Sequence, residues 1–188
     1  MTVGVRGVGV DIVDLGAFAA SLAEPGTRFT SVFSATERRQ CRERAEARGA
    51  GSGSSSGTSS EISGSDGDRS GADRSRGATS SSSTDPAGHP DGHLARHLAA
   101  RWAVKEAVVK AWSAALYGTP PPISPDLLVW SEIETVCDAW GRPAVRLSGE
   151  VARQVTATVG EGARWSVSLS HEGGSAVAFV VLEGPSAG

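Results

Sequence analysis

Asp11 stands at the end of an apolar run, VGVDIV, with Val10 before it and Ile12-Val13 after it. An acid there needs a partner: it either caps the next helix or holds a cation. Glu106 falls four residues after Trp102 and three before Val109. On a helix it therefore lies beside the apolar stripe, where a carboxylate is partly desolvated. Lys110, one turn on, offers an ordinary surface ion pair worth about 0.3–0.5 kcal/mol. A metal ion is the other partner that fits. Asp11 and Glu106 together can supply the carboxylates Mg²⁺ takes while waters and phosphate oxygens fill its remaining positions. Lys110 is then placed for a phosphate.

Further along, Ser168-Leu169-Ser170-His171 leads into a Gly-rich turn. On a strand Ser168 and Ser170 share one face, and Leu169 and His171 the other. His171 is either a structural histidine or a ligand for phosphate or adenine. A Ser–His nucleophile is disfavoured, because the nearby acid is Glu172 and no G-x-S-x-G elbow occurs. The glycines at 4, 7 and 9 do not form G-x-G-x-x-G between a strand and a helix, and no P-loop is present.

The elements that must position these residues are read from periodicity. The alternating Val and Gly of residues 3–13 predict a strand lying close to other backbone. Residues 14–23 predict a short helix ended by Pro25-Gly26. Ser34 and Glu37 form a capping box that opens a highly charged helix, expected on the surface. The longest helix is expected from Asp91 to Leu116, with Leu94, Leu98, Trp102, Val109, Trp112 and Leu116 at helical spacing. Gly118 and Pro120-Pro121-Pro122 stop it. A strand is expected over Trp130–Asp138, a turn over Trp140–Pro143, a strand over Ala144–Leu147 and a helix over Glu150–Val159. Trp165–His171 and Ala176–Leu182 read as a final strand pair joined by Glu172–Ser175. Mixed helices and hairpin-linked strands predict an α+β fold without a clear internal repeat.

Between residues 49 and 92 the composition changes abruptly: 44 residues hold 14 Ser and 10 Gly, one Ile and no aromatic. Such a stretch cannot bury enough apolar surface to offset its ordering entropy, so a flexible insertion within a single domain of residues 1–188 is expected. Outside it the chain carries 15 basic and 15 acidic residues, a balance that gives no reason to expect a nucleic-acid partner. No apolar run reaches the roughly 18 residues of a membrane span, and the N-terminus has no signal-peptide pattern. Cys41 and Cys137 lack metal-type spacing and read as reduced thiols, so a cytoplasmic location is expected.

Four blocks, in order, resemble the holo-acyl-carrier-protein synthases, a 4′-phosphopantetheinyl transferase family. They are GVGVDIVDL at 7–15, RFTSVFSATERRQC at 28–41, HLAARWAVKEAVVKAW at 97–112, and the stretch from 130 to 183 containing DAWGRPAVRLSG and WSVSLSHEGGSAVAF. Their wording is most similar to the actinobacterial branch. The resemblance implies a mainly antiparallel sheet packed against a long helix. It implies Asp11 and Glu106 as Mg²⁺ ligands and Lys110 at the pyrophosphate of coenzyme A, the co-substrate. It implies that Arg101 and Lys105 assist, and that Gly141, Arg142, Pro143 and His171 line the coenzyme A site. It also implies a homotrimer with sites between subunits.

The implied reaction is attack by a serine hydroxyl of an apo acyl carrier protein on the β-phosphate of coenzyme A, releasing 3′,5′-ADP. Glu106, or a water it orients, is the candidate base. Carriers of fatty-acid synthesis are acidic, and relatives meet them with basic residues on the first helix. Here that helix, DLGAFAASLAE, has none, which points instead to Arg28 or to Arg38, Arg39, Arg42 and Arg44. Rival readings are the same chemistry on polyketide or peptide-synthetase carriers, a non-catalytic coenzyme A-binding protein, and a generic Mg²⁺-nucleotide phosphotransferase.

Overall fold

Alternation of glycine with valine brings the first strand and the long helix together. In a computed structural model that describes residues 3–51 and 90–185, β1 runs over Val3–Asp14 and α3 over Pro90–Ala115. Gly7 and Gly9 face α3, and a Cβ at either would overlap the carbonyl oxygens of Ala111 and Ala107. Ala103, Ala107 and Ala111, all fully buried, form the facing stripe of the helix. Small residues on both sides let the two backbones meet directly, as the Val-Gly alternation predicts.

Between β1 and α3 lie α1 (Leu15–Ala23), a 3₁₀ turn (Phe29–Val32) and α2 (Ala35–Gly51). After α3 come two short 3₁₀ turns, the hairpin β2 (Ile133–Cys137) and β3 (Pro143–Leu147), α4 (Gly149–Val159), β4 (Arg164–Glu172) and β5 (Ser175–Pro185). The main sheet is antiparallel with order β1-β5-β4, and β2-β3 stands as a separate ribbon. This is the expected α+β architecture.

Register decides which side chains face α3. Gly7 pairs with Leu182, Gly9 with Val180, Asp11 with Ala178 and Val13 with Ala176. On the other side of β5, Leu182, Val180, Ala178 and Ala176 pair with Trp165, Val167, Leu169 and His171. Asp11 and His171 therefore belong to the helix-covered face, in adjacent rows and at opposite edges of the sheet. Across two strand spacings that is a lateral separation of about 10 Å. Ser168 and Ser170 fall on the outer face with Phe179 and Val177. That face is uncovered: Val8, Val10, Ile12, Val177 and Phe179 are all exposed.

The sequence expectations need two corrections. First, α2 lies at the surface as expected but is not wholly solvent-facing, because Glu37, Cys41 and Ala45 are buried against α3 and β2. Charge on its other faces hid this in the sequence. Second, residues 130–132 form a 3₁₀ turn rather than the start of a strand, since the Trp130 carbonyl accepts from Ile133 N and from Lys105 Nζ. Of the insertion expected over 49–92, residues 49–51 end α2 and 90–92 begin α3. The rest of it lies outside the described residues.

Candidate active site

Asp11, Glu106 and Lys110 meet where β1 leaves α3. Lys110 Nζ donates to Asp11 Oδ1 at 2.8 Å and to the Val10 carbonyl at 3.2 Å. Lys110 remains about half exposed while Asp11 is mostly covered. Because Gly7 sits over Ala111 and Gly9 over Ala107, the next inward residue of β1 is Asp11, delivered one further turn down the helix. Both readings of Glu106 are thus present together: Lys110 is near it, and so is a second carboxylate.

The electrostatics set Glu106 apart. Burial pushes its carboxyl above the ordinary range, the negative charge of Asp11 pushes it further, and Lys110 pulls it back. Lys110 is raised chiefly by its hydrogen bond to Asp11, against a smaller opposing effect of burial. Two acids share one nearby ammonium, so a divalent cation would relieve their repulsion. Among the described residues no group of three or more His, Cys, Asp or Glu side chains could hold a metal. Asp11 and Glu106 alone fit Mg²⁺, which takes one or two carboxylates and completes its shell with waters and phosphate oxygens.

Two concavities converge on Glu106. One, of about 350 Å³, is lined by Asp11, Asp14, Ala17, Ser21, Phe29 and Trp102 as well as Glu106. The other, of about 480 Å³, is mainly apolar and includes Val109, Trp112, Leu116, Ile123 and Trp130 with Glu106. A chain of rings divides them. Phe18 meets Phe29 edge-on at 5.3 Å, Phe29 meets Trp102 at 5.2 Å, and Trp102 meets Trp130 at 4.7 Å. Asp14 caps α1, accepting from Ala17 N at 2.7 Å.

Other residues expected at the site lie elsewhere. Lys105 is fully buried, donating to Glu37 at 2.9 Å, to the Trp130 carbonyl at 3.1 Å and to the Ile133 carbonyl. All three ammonium protons are used, so it does not reach a ligand. Burial lowers its proton affinity and the Glu37 charge opposes that. Arg101 is buried as well, donating to the His97 carbonyl at 3.2 Å and to Cys137 Sγ at 3.8 Å. His171 meets the His97 ring edge-on at 5.9 Å. Gly141 and Arg142 lie in the β2-β3 turn, where Gly141 takes φ +86°, and Pro143 begins β3. Arg142 is pinned to Asp138 at 2.6 Å and stacks on Trp140 at 4.8 Å. One chain therefore gathers Asp11, Glu106 and Lys110 at the β1 edge, leaves His171 on β4 and buries Arg101 beside Cys137 of β2.

The sequence did not point to Trp102, Trp130 and Phe29 as walls of the site. Their signal was weak because an aromatic at helical or strand spacing reads first as core. Glu37 was legible only as a cap. Its hydrogen bonds with Ser34, at 2.9 and 3.1 Å, are the predicted capping box, but its pairing with Lys105 spans 68 residues.

Residues 72–180 match the 4′-phosphopantetheinyl transferase superfamily. A holo-[acyl-carrier-protein] synthase of Corynebacterium glutamicum is 38% identical over 175 residues, covering 93% of this chain and 96% of that protein. One from Bifidobacterium animalis subsp. lactis is 38% identical over 184 residues, covering 94% and 97%. Among solved structures, the ACPS–CoA complex of Chronobacterium ammoniagenes superposes with a TM-score of 0.68 at 33% identity, over 99% of this chain and 100% of that one. Acyl carrier protein synthase of Mycobacterium tuberculosis gives 0.56 at 30% identity, over 97% and 100%.

Proposed function

The chain belongs to the 4′-phosphopantetheinyl transferase superfamily, and we propose that it moves 4′-phosphopantetheine from coenzyme A to a serine of an apo acyl carrier protein. The products are the holo carrier and 3′,5′-ADP. The observation that carries this reading is the meeting of Asp11, Glu106 and Lys110 beside two concavities. It is supported by the coenzyme A bound to the Chronobacterium relative.

Chain residues divide the work. Asp11 and Glu106 would hold Mg²⁺, which when bound neutralises pyrophosphate charge and stabilises the bond-breaking step. The half-exposed Lys110 ammonium binds the same phosphate oxygens and supports the charge that grows on the leaving group. The serine oxygen bonds to the β-phosphorus as the bridging P–O bond breaks, and the electron pair leaves with 3′,5′-ADP. The serine must lose its proton as the new bond forms, and Glu106, or a water it orients, is the base placed to take it.

The acceptor serine enters through the concavity rimmed by Ala17 and Ser21 of α1. Since α1 has no basic residue, cationic guidance for an acidic fatty-acid carrier falls to exposed Arg28, which precedes Phe29 at the rim. Arg38 is engaged with the Thr30 and Phe33 carbonyls. Residues near opposite edges of the sheet, Lys110 at one and His171 at the other, can serve one coenzyme A if three chains associate and each site forms between neighbours. The uncovered apolar face of β1 and β5 supports that homotrimer. No helix among the described residues is long and apolar enough to cross a membrane. Cys41 and Cys137 are free thiols, which supports a reducing cytoplasm.

The test is to mix the protein with coenzyme A, Mg²⁺ and apo carriers of fatty-acid, polyketide and peptide-synthetase type, then weigh each carrier. A phosphopantetheine mass increment on the fatty-acid carrier is expected. No increment on any carrier would refute the reading.

A further inference from the structure

Lys105 and Glu37 form a fully buried ion pair that no step of the reaction uses. It is saturated. Glu37 Oε2 accepts from Lys105 and from Ser34 N, each at 2.9 Å, and Oε1 accepts from Thr135 N at 2.9 Å. Lys105 spends its other protons on the carbonyls of Trp130 and Ile133. Withdrawing two charges from water costs so much that apolar residues of similar volume often stabilise a fold equally well. Stability alone therefore does not account for the pair.

What the pair joins is informative. It ties the first turn of α2, the middle of α3 and the turn that enters β2. Lys105 immediately precedes Glu106, so fixing its azimuth fixes that of Glu106, about 100° further round the helix. Its carbonyl partners bracket the turn carrying Trp130, whose ring packs on Trp102 at 4.7 Å. Trp102 and Trp130 wall the two concavities that meet at Glu106. We infer that Lys105 and Glu37 are positioning residues, which hold α3 in rotation and Trp130 in place so that the Glu106 carboxylate stays beside Asp11. A rotation of about 15° would carry a group roughly 6 Å from the helix axis by about 1.5 Å. Displacements of that size cost about 100-fold in rate.

The inference rests on the transferase reading, and its test separates the two. Glu37→Asp keeps the charge and withdraws the carboxylate by one methylene; Glu37→Leu with Lys105→Met replaces the pair by apolar volume. In the full chain, melting temperature, the Mg²⁺ dissociation constant by calorimetry with coenzyme A present, kcat and KM are measured. We expect both variants to fold, with kcat reduced about tenfold in Glu37→Asp and about 100-fold in the double variant. The Mg²⁺ dissociation constant should rise at least threefold in each, with KM for coenzyme A within twofold. Wild-type kcat and wild-type Mg²⁺ affinity in either folded variant would overturn the positioning role. If the wild type itself transfers nothing, the transferase reading falls, and the Mg²⁺ constants still decide positioning.

Discussion

Glu106 works against the fold that holds it. Its carboxyl is raised by burial and by Asp11, so the folded state favours its neutral form. The sign follows: this stabilisation is present below the ordinary value of 4.5 and is lost as pH rises through the higher folded value. At pH 7 Glu106→Gln should therefore raise the melting temperature of the metal-free protein, by about 2 °C, with the gain vanishing near pH 4. The same variant should abolish transfer in the carrier-mass assay. A variant that melts lower than wild type at pH 7, or that still transfers, would contradict this account. Cys41 supplies an alkaline counterpart. Burial pushes its thiol from 9.0 up to about 12, with the nearby Arg101 opposing. The unfolded chain then loses this proton first, so stability falls between about pH 9 and pH 12 by about 1.4 kcal/mol per unit. In urea melts from pH 8 to pH 10.5, the stability of wild type relative to Cys41→Ala should fall by that slope above pH 9; a constant difference would refute it. The sequence showed Asp11, Glu106 and Lys110 because each breaks an apolar pattern. It misplaced Lys105, because the acid that neutralises it is Glu37, in a helix whose charge content read as solvent-facing.

The contact of β1 with α3 does for the elements what Lys110 does for the two acids. Glycine at 7 and 9 is required by proximity and not by an unusual φ, since the Ala107 and Ala111 carbonyls occupy the space of a side chain. Gly9→Ala must push the strand off the helix and so move Asp11, two residues on. It should cost about 3 kcal/mol or more, the range of severe overpacking, and lower the melting temperature by about 6–12 °C. Ala176→Gly on the same sheet face creates no overlap and should leave Asp11 in place, so it should keep a larger share of transfer activity. A Gly9→Ala protein with wild-type melting and activity would disprove the direct backbone contact. This element pair was legible in advance: Val-Gly alternation is uninformative about a solvent-exposed strand but expected of one pressed against backbone. Less legible was the turn at residues 130–132, where local alternation predicted strand. Lys105, 25 residues earlier, claims the Trp130 carbonyl. A distant side chain that captures a backbone acceptor leaves no local trace.

At the scale of the whole molecule, the sheet has one face closed by α3 and one left open. Val10 pairs with Phe179 and Ile12 with Val177 across that open face, and all four are exposed. This apolar strip is the surface through which the proposed trimer would associate. Its strands also carry Asp11 and lead to His171 on their covered side, so association through the strip would bring edges of different chains together. If three chains associate through this strip as proposed, Phe179→Asp should give monomers by light scattering and reduce transfer at the same protein concentration; unchanged mass and activity would refute it. Mixing supplies a sharper test. Glu106→Gln disables the acid half, and a variant carrying Arg142→Ala with His171→Ala disables the other half. Each homotrimer should be inactive. When the two are unfolded and refolded together in equal amounts, a site regains function only where an intact acid half meets an intact partner half. For random cyclic assembly that holds at about one site in four. Recovery of about a quarter of wild-type activity is the expected result. No recovery from a mixture shown to contain hybrid trimers would place the whole site within one chain, and the separation of His171 from Lys110 would then need closure within the subunit rather than assembly between subunits.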